Sequence, residues 1–164
     1  MGEKNYIHYG LVATIIILAA VLRVYGLART SIWFDEAFTW QLVSLPFSEM
    51  YQETLKDTHP PLFNLLAWSW IQLFGDSEFA LRLPSALFGT ATVYFLYQVG
   101  KQAWDWKVGL SAAAILAISG FHIWYSQEFR NYALLSLTST IYMYSVFRIK
   151  DRTTLSACLP CAFL

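Results

Sequence analysis

Three stretches of this chain, Leu83–Gly100, Val108–Gln127 and Asn131–Phe147, contain no Asp, Glu, Lys or Arg. A helix needs about 20 mostly apolar residues to cross the hydrocarbon core of a bilayer, somewhat fewer when its flanks help. A further apolar segment runs from Tyr6 to about Ala28, centred on Leu11–Leu22 (LVATIIILAAVL). Backbone polar groups must pair internally in lipid, so such runs are read as helices. Composition decides between a membrane bundle and a soluble core. Of 164 residues 57% are hydrophobic and 13% charged, about half the usual charged share, which leaves too little polar surface to coat a soluble domain. Eleven basic and eleven acidic residues cancel, so no nucleic acid partner is expected. Two cysteines at the far C-terminus do not make a disulfide scaffold. The expected fold is all-α, an integral membrane helical bundle of about four transmembrane helices with interfacial juxtamembrane helices in the first outer loop.

The expected spans are 6–28, 83–100, 108–127 and 131–147. Gly26-Leu27-Ala28 resembles a signal-peptide cleavage site, but Arg23 between it and the apolar centre and the spans that follow argue for an uncleaved helix. Thr58–Gly75 is the ambiguous stretch. Beyond Pro60-Pro61 it leaves about 14 residues, or roughly 21 Å of helix. Asn64, Trp68 and Gln72 recur every four residues along it, a polar-aromatic stripe suited to a helix in the interface plane. With that stretch outside the membrane, Lys4, Lys101, Lys107, Arg148, Lys150 and Arg152 share one side, which the positive-inside rule assigns to the cytoplasm. The other side receives the 29–82 loop and the Ser126–Arg130 link. The loop carries seven acids against three bases, and Glu36–Val43 and Ser48–Lys56 read as short interfacial helices within it. Residues 1–152 thus read as one module and 153–164 as a short tail of a truncated chain. The expected location is the plasma membrane, with the active face outside the cytoplasm.

Several polar residues need a reason to be where they are. Asp35 and Glu36 stand together in SIWFDEAFTW. Adjacent carboxylates in an apolar frame suit general-base work or cation binding, and equally the first turn of a helix. His59 before two prolines either precedes a helix start or binds an anion or metal. Glu78 and Arg82, four apart, suit an intrahelical ion pair, and Arg82 also stands ready for a headgroup or phosphate. Gln127, Glu128 and Arg130 form the polar link of YSQEFRNY, whose tightness alone explains polar residues. Arg23 is expected to snorkel or to pair with a carboxylate near the outer surface, and His122 to pack among aromatics. Cys158 and Cys161 form a lone C-x-x-C without a second pair.

WFDEAFT, THPPLFNLL, GDSEFALRLPSALFG and HIWYSQEFRNYALL occur in that order over Arg29–Leu135. The ordered set resembles the membrane glycosyltransferases of the GT-C type. The nearest group is the bacterial and archaeal members related to protein O-mannosyltransferases (family 39) and lipid A aminoarabinose transferases. The resemblance implies a polyprenyl-phosphate-linked sugar as donor and a glycan, lipid or protein acceptor reached from the outer side. It implies an acidic catalytic motif at Asp35, with Glu36 adjacent. Asp35 would take the acceptor proton during inverting attack on the anomeric carbon, while the developing phosphate charge needs cationic or hydrogen-bonding partners. It implies donor-binding roles for His59, Arg82, Glu128 and Arg130. No cofactor is demanded; a divalent metal ion at Asp35, Glu36 and Glu128 lacks a compact ligand motif.

Family members are several times longer than this chain, so a non-catalytic remnant or a subunit that binds lipid-linked sugar is the alternative expectation. A transporter fragment is the third class, weakened because the carboxylates lie in loops and at helix ends instead of within the spans.

Overall fold

The computed structural model describes residues 2–57 and 59–151; Cys158, Cys161 and the 153–164 tail lie outside them. The described residues are helical and contain no strand. In chain order the helices are α1 (Gly2–Val24), α2 (Phe34–Val43), α3 (Phe47–Thr54), α4 (Leu62–Phe74), α5 (Glu78–Ala103), α6 (Trp106–Ile118), α7 (Gly120–Ser126) and α8 (Tyr132–Asp151). Helices α2 and α3 fall within two residues of the two interfacial helices expected from the sequence, and α4 starts just past the Pro-Pro pair.

Helix α5 is the hub, packed against α1, α6, α7 and α8. Among the described residues it alone is long and apolar enough to cross a membrane by itself. The apolar part of α1, His8–Val24, is shorter. The expected span 108–127 is broken: α6 and α7 meet at a bend of 65°. Ser119 is extended there (φ −63, ψ 112), and Gly120 follows it. The extended residue interrupts the helical hydrogen-bond ladder; Ser119 N–H still reaches the Leu116 carbonyl at 3.3 Å, and the last carbonyls of α6 keep further acceptor capacity.

Arg23 takes up those carbonyls, contrary to the expectation that it snorkels or meets a carboxylate. It is fully buried and donates to the Leu116 and Ala117 carbonyls at 3.1 and 3.2 Å, and to Ala19 on its own helix at 3.0 Å. Its fourth contact is His122 Nδ1 at 2.8 Å. His122 therefore faces a guanidinium and the hydroxyls of Ser126 and Ser136, in addition to the aromatic side chains of Phe121, Tyr125 and Tyr132 with which it lines a cavity. Gln127 returns the favour at the end of α1, its amide donating to the carbonyls of Leu22, Arg23 and Tyr25.

Small residues fill the bundle interior, with Ala19, Ala113 and Ala117 around Val93 and Tyr97. Bulky ones face outward: Ile115 is 69% exposed and Phe121 75%. This inside-out arrangement suits lipid, where close backbone approach holds helices together. A Cβ on Gly100 would lie 2.6 Å from Gly109 Cα, and one on Gly109 would lie 2.4 Å from the Tyr97 carbonyl oxygen. Backbone meets backbone at that crossing, so no side chain can yield.

The second core lies at the loop end of the bundle. Val43 of α2, Phe63 and Ala67 of α4, Leu81 of α5, Phe129 of the link and Leu134 of α8 form it. Two members of the polar stripe on α4 serve packing, while Gln72 is exposed. Asn64 donates to Thr54 Oγ1 of α3 at 3.4 Å, and Trp68 Nε1 to the Leu45 carbonyl at 3.1 Å. The opposite end gathers His8, Tyr97 and Trp106, with His8 Nε2 2.5 Å from the Tyr97 hydroxyl. The two carboxylate motifs thus share one end of the bundle.

Replacing Gly109 by Val is expected to pry α5 from α6 at a cost of about 1–3 kcal/mol. Thermal unfolding followed by circular dichroism in detergent will read this as a lower midpoint, and an unchanged midpoint will contradict the tight crossing.

Candidate active site

Pro84 lies in the second turn of α5 and has no N–H to give the Ala80 carbonyl four residues back. The Trp70 indole fills that gap, donating to the Ala80 oxygen at 2.8 Å, while Ser77 caps the helix by accepting from Ala80 N–H. The first turns of α5 are thereby held on α4, and they present Arg82 to the loop.

A guanidinium carries five N–H groups, and each of Arg82's has an acceptor. Nε and Nη2 grip Glu36 Oε1 and Oε2 at 2.8 and 2.6 Å. Nη1 donates to the carbonyls of Leu27 and Thr30 at 2.7 and 2.8 Å, and Nη2 also to that of Ser31 at 3.2 Å. Glu36 is fully buried, and each of its oxygens accepts a second time: Oε1 from Phe129 N–H at 2.8 Å, Oε2 from Trp33 N–H at 3.3 Å. A charge taken this far from water is tolerable only with such complete pairing. The partner of Arg82 is therefore Glu36, 46 residues away; Glu78, expected to form the intrahelical pair, is exposed at the surface.

Successive helical residues are turned by about 100°, so burying Glu36 turns Asp35 aside. Asp35 is half-buried, and its carboxylate has no hydrogen-bond donor among the described residues. Arg130 Nη1 reaches the Asp35 carbonyl at 3.3 Å and Thr39 Oγ1 at 2.9 Å, which lays the link against α2; its Nε is buried without a partner.

Glu128 is 8% exposed. Oε1 accepts from Trp124 Nε1 at 2.7 Å, while Oε2 is buried and unpartnered. Burial, chiefly, holds this carboxyl above the ordinary value, and the negative charges of Glu36 and Asp35 push the same way; the Trp124 hydrogen bond and the Arg130 charge oppose them. Glu128 lines a cavity of about 310 Å³ together with Tyr25, Arg29, Trp33, Trp124 and Gln127. The Glu36–Arg82 pair also reaches its wall.

His59 stands elsewhere. Its backbone N–H and Nδ1 both meet Asp57 Oδ1, at 3.2 and 2.9 Å. It shares with Thr39, Arg130 and Asn131 a crevice of about 10 Å³. The fold thus brings Asp35, Glu36, Arg82, Glu128 and Arg130 around the N-terminal half of α2, with His59 in an adjoining depression. No group of three His, Cys, Asp or Glu side chains among the described residues could hold a metal ion, so the carboxylates at 35, 36 and 128 do not assemble into one. From the sequence, Arg29 and Trp124 had no site role and Trp33 only a place in the apolar frame of the acidic motif. For the two tryptophans the signal was the excess of aromatics around the acidic motifs; Arg29 had none.

Residues 58–164 match the family model described as dolichyl-phosphate-mannose-protein mannosyltransferase. The chain belongs to that family. These mannosyltransferase-like enzymes are membrane glycosyltransferases of the GT-C type, in agreement with the resemblance carried by the four ordered motifs. His59, Arg82, Glu128 and Arg130 lie within the match, and Asp35 and Glu36 precede it. No curated protein and no solved structure matches the chain.

Removing one member of the Arg82–Glu36 pair leaves a buried charge uncompensated. Arg82→Met is expected to destabilise the fold by about 3–5 kcal/mol, and Arg82→Lys is expected to recover little of this, because an ammonium cannot reproduce the fork. Denaturant unfolding in detergent measures both.

The Glu128 carboxyl, raised when folded, keeps its proton to a higher pH than it does in the unfolded chain. Its contribution to stability is full below the ordinary value of 4.5 and is lost as pH rises through the folded value. Glu128→Gln is expected to flatten the fall of the unfolding midpoint as pH rises above 4.5; an identical profile would remove the assignment.

Proposed function

We propose that this chain forms the catalytic end of a glycosyltransferase module that moves a sugar from a polyprenyl-phosphate-linked donor to an acceptor on the outer face of the membrane. The observation that carries the reading is the contrast between two adjacent carboxylates. Glu36 is saturated by four hydrogen bonds from Arg82, Phe129 and Trp33. Asp35 is held beside it, half-buried and with no donor to its carboxylate among the described residues, as a proton acceptor must be.

In the proposed step an acceptor hydroxyl gives its proton to Asp35 as its oxygen attacks the anomeric carbon. The bond from that carbon to the phosphate oxygen breaks with inversion, and polyprenyl phosphate leaves with the electron pair. The donor lies against the face that carries Glu128 and Arg130, with His59 at its edge. Glu36 and Arg82 contribute by holding the loop in place, since neither has a hydrogen-bonding site left for substrate. The acceptor is a glycan, a lipid or a protein. Membership of the family supports the reaction class, and placement of both acidic motifs at one end of the bundle supports a shared site.

The test is sugar transfer from farnesyl phosphate mannose in membranes holding the chain. Positioned general bases contribute about 10²–10⁴-fold, so Asp35→Asn should lower turnover by at least about 10² with the unfolding midpoint preserved. Full transfer by that variant would sink the assignment of Asp35. No transfer by the unaltered chain would favour a module that binds the donor without catalysis.

A further inference from the structure

Arg23 is fully buried, yet no carboxylate meets it among the described residues. Its guanidinium donates to the carbonyls of Ala19, Leu116 and Ala117 and to His122 Nδ1. Carbonyl dipoles lower the cost of burying a cation but leave its net charge uncompensated, which favours an anion within reach. His122 carries this cluster to a surface. An arginine can only donate, so Nδ1 is the accepting nitrogen and the neutral ring holds its proton on Nε2. Nε2 meets Ser136 Oγ at 3.4 Å, longer than a good hydrogen bond. Hydrogen bonds in series polarise one another, so the guanidinium behind the ring strengthens this N–H as a donor.

That N–H stands in the wall of a cavity of about 400 Å³. Helix α7 leaves the line of α6 at 65°, α8 returns beside it, and the cavity lies between α7 and α8. Its polar groups are donors: His122 Nε2–H and the hydroxyls of Ser136, Ser139, Tyr125 and Tyr132. Among the described residues no acid lines it. The Tyr125 ring packs against Phe121 at 4.7 Å and Tyr132 at 5.0 Å, and Phe121 and Leu135 are exposed on the rim. Ser126 and Tyr132 bracket the link at the loop end, and Ser139 lies about two turns into α8, roughly 10 Å along its axis. In a bilayer that is the depth at which headgroups give way to acyl chains. None of these lining residues lines the cavity beside Glu128 or the crevice beside His59.

We propose that the α7–α8 cavity binds the carboxylate of a long-chain fatty acid. His122 Nε2–H and the Ser136 and Ser139 hydroxyls are the donors, and Phe121 and Leu135 lie along the chain. A single negative charge offsets that of Arg23, and the oxygens of one carboxylate match the donors at hand. A phosphomonoester would bring up to a second charge and more oxygens than this wall can pair. The chain passes out over exposed apolar side chains, which a small soluble anion could not use. The site is separate from the one proposed for sugar transfer and does not rest on it.

The test is photolabelling of the full chain in phosphatidylcholine nanodiscs by palmitate carrying a diazirine on its chain, at a pH that keeps it ionised. Mass spectrometry identifies the labelled peptides. Label is expected on residues 121–139. Unlabelled palmitate should displace it at least about tenfold more effectively than hexadecanol, the difference that hydrogen bonds to a charged group make. His122→Asn keeps an oxygen that can accept from Arg23 but removes the Nε2–H, and should weaken labelling about tenfold. Ser139 is exposed, so Ser139→Ala leaves the fold intact; it should weaken labelling about threefold.

Displacement by hexadecanol as effective as by palmitate, label confined to other residues, or labelling unchanged in both variants overturns the proposal. Displacement by farnesyl phosphate mannose as effective as by palmitate assigns the cavity to the donor lipid and overturns it equally.

Discussion

The buried pairing of Arg82 with Glu36 sets the terms for everything at the loop end of the bundle. A guanidinium at this depth must find an acceptor for each N–H or leave a costly orphan. Its acceptors come from the turn after α1, the approach to α2 and α2 itself, while Glu36 adds the backbone of the link through Phe129. One side chain thereby determines where three segments distant in sequence lie relative to each other. Loss of either partner would free the loop and dissolve the cavity.

A second buried arginine meets the same problem without a carboxylate and leaves its Nε unpartnered among the described residues. Arg23 donates to carbonyls at the end of α6, beside the break at Ser119, so a backbone defect supplies the negative ends of dipoles that the cation requires. Gln127 closes the matching deficit at the end of α1. These reciprocal caps couple the bend to the link that follows, and the short α7 carries Trp124 and Glu128 to the cavity as a consequence.

Three carboxylates near one another are given different hydrogen-bonding surroundings. Glu36 is neutralised by a fork and two amides. Asp35 is partly exposed, with no donor to its carboxylate among the described residues. Glu128 loses water, gains one indole donor and feels two like charges, so its carboxyl holds its proton more tightly. With Arg29 at the rim, the cavity offers a cation and a hydrogen-bonding carboxyl across a space of ligand size.

The sequence by itself determined the helical class, the family and the short helices α2, α3 and α4, because these follow from local properties. Uncharged runs, the Pro-Pro start and the order of four motifs can be read without knowing what touches what. It also marked Asp35, Glu36, His59, Arg82, Glu128 and Arg130 as residues needing a reason. It could not tell which of them face each other. Glu78 stood four residues from Arg82 and was the natural local partner; the fold chose Glu36 because only a partner brought in from α2 could be buried with it. The break at Ser119 and the burial of Arg23 against it were equally out of reach, since one uncharged run looks the same whether straight or bent by 65°. Tertiary structure decided these points, because whether a charged group is saturated or free depends on acceptors that arrive from elsewhere in the chain.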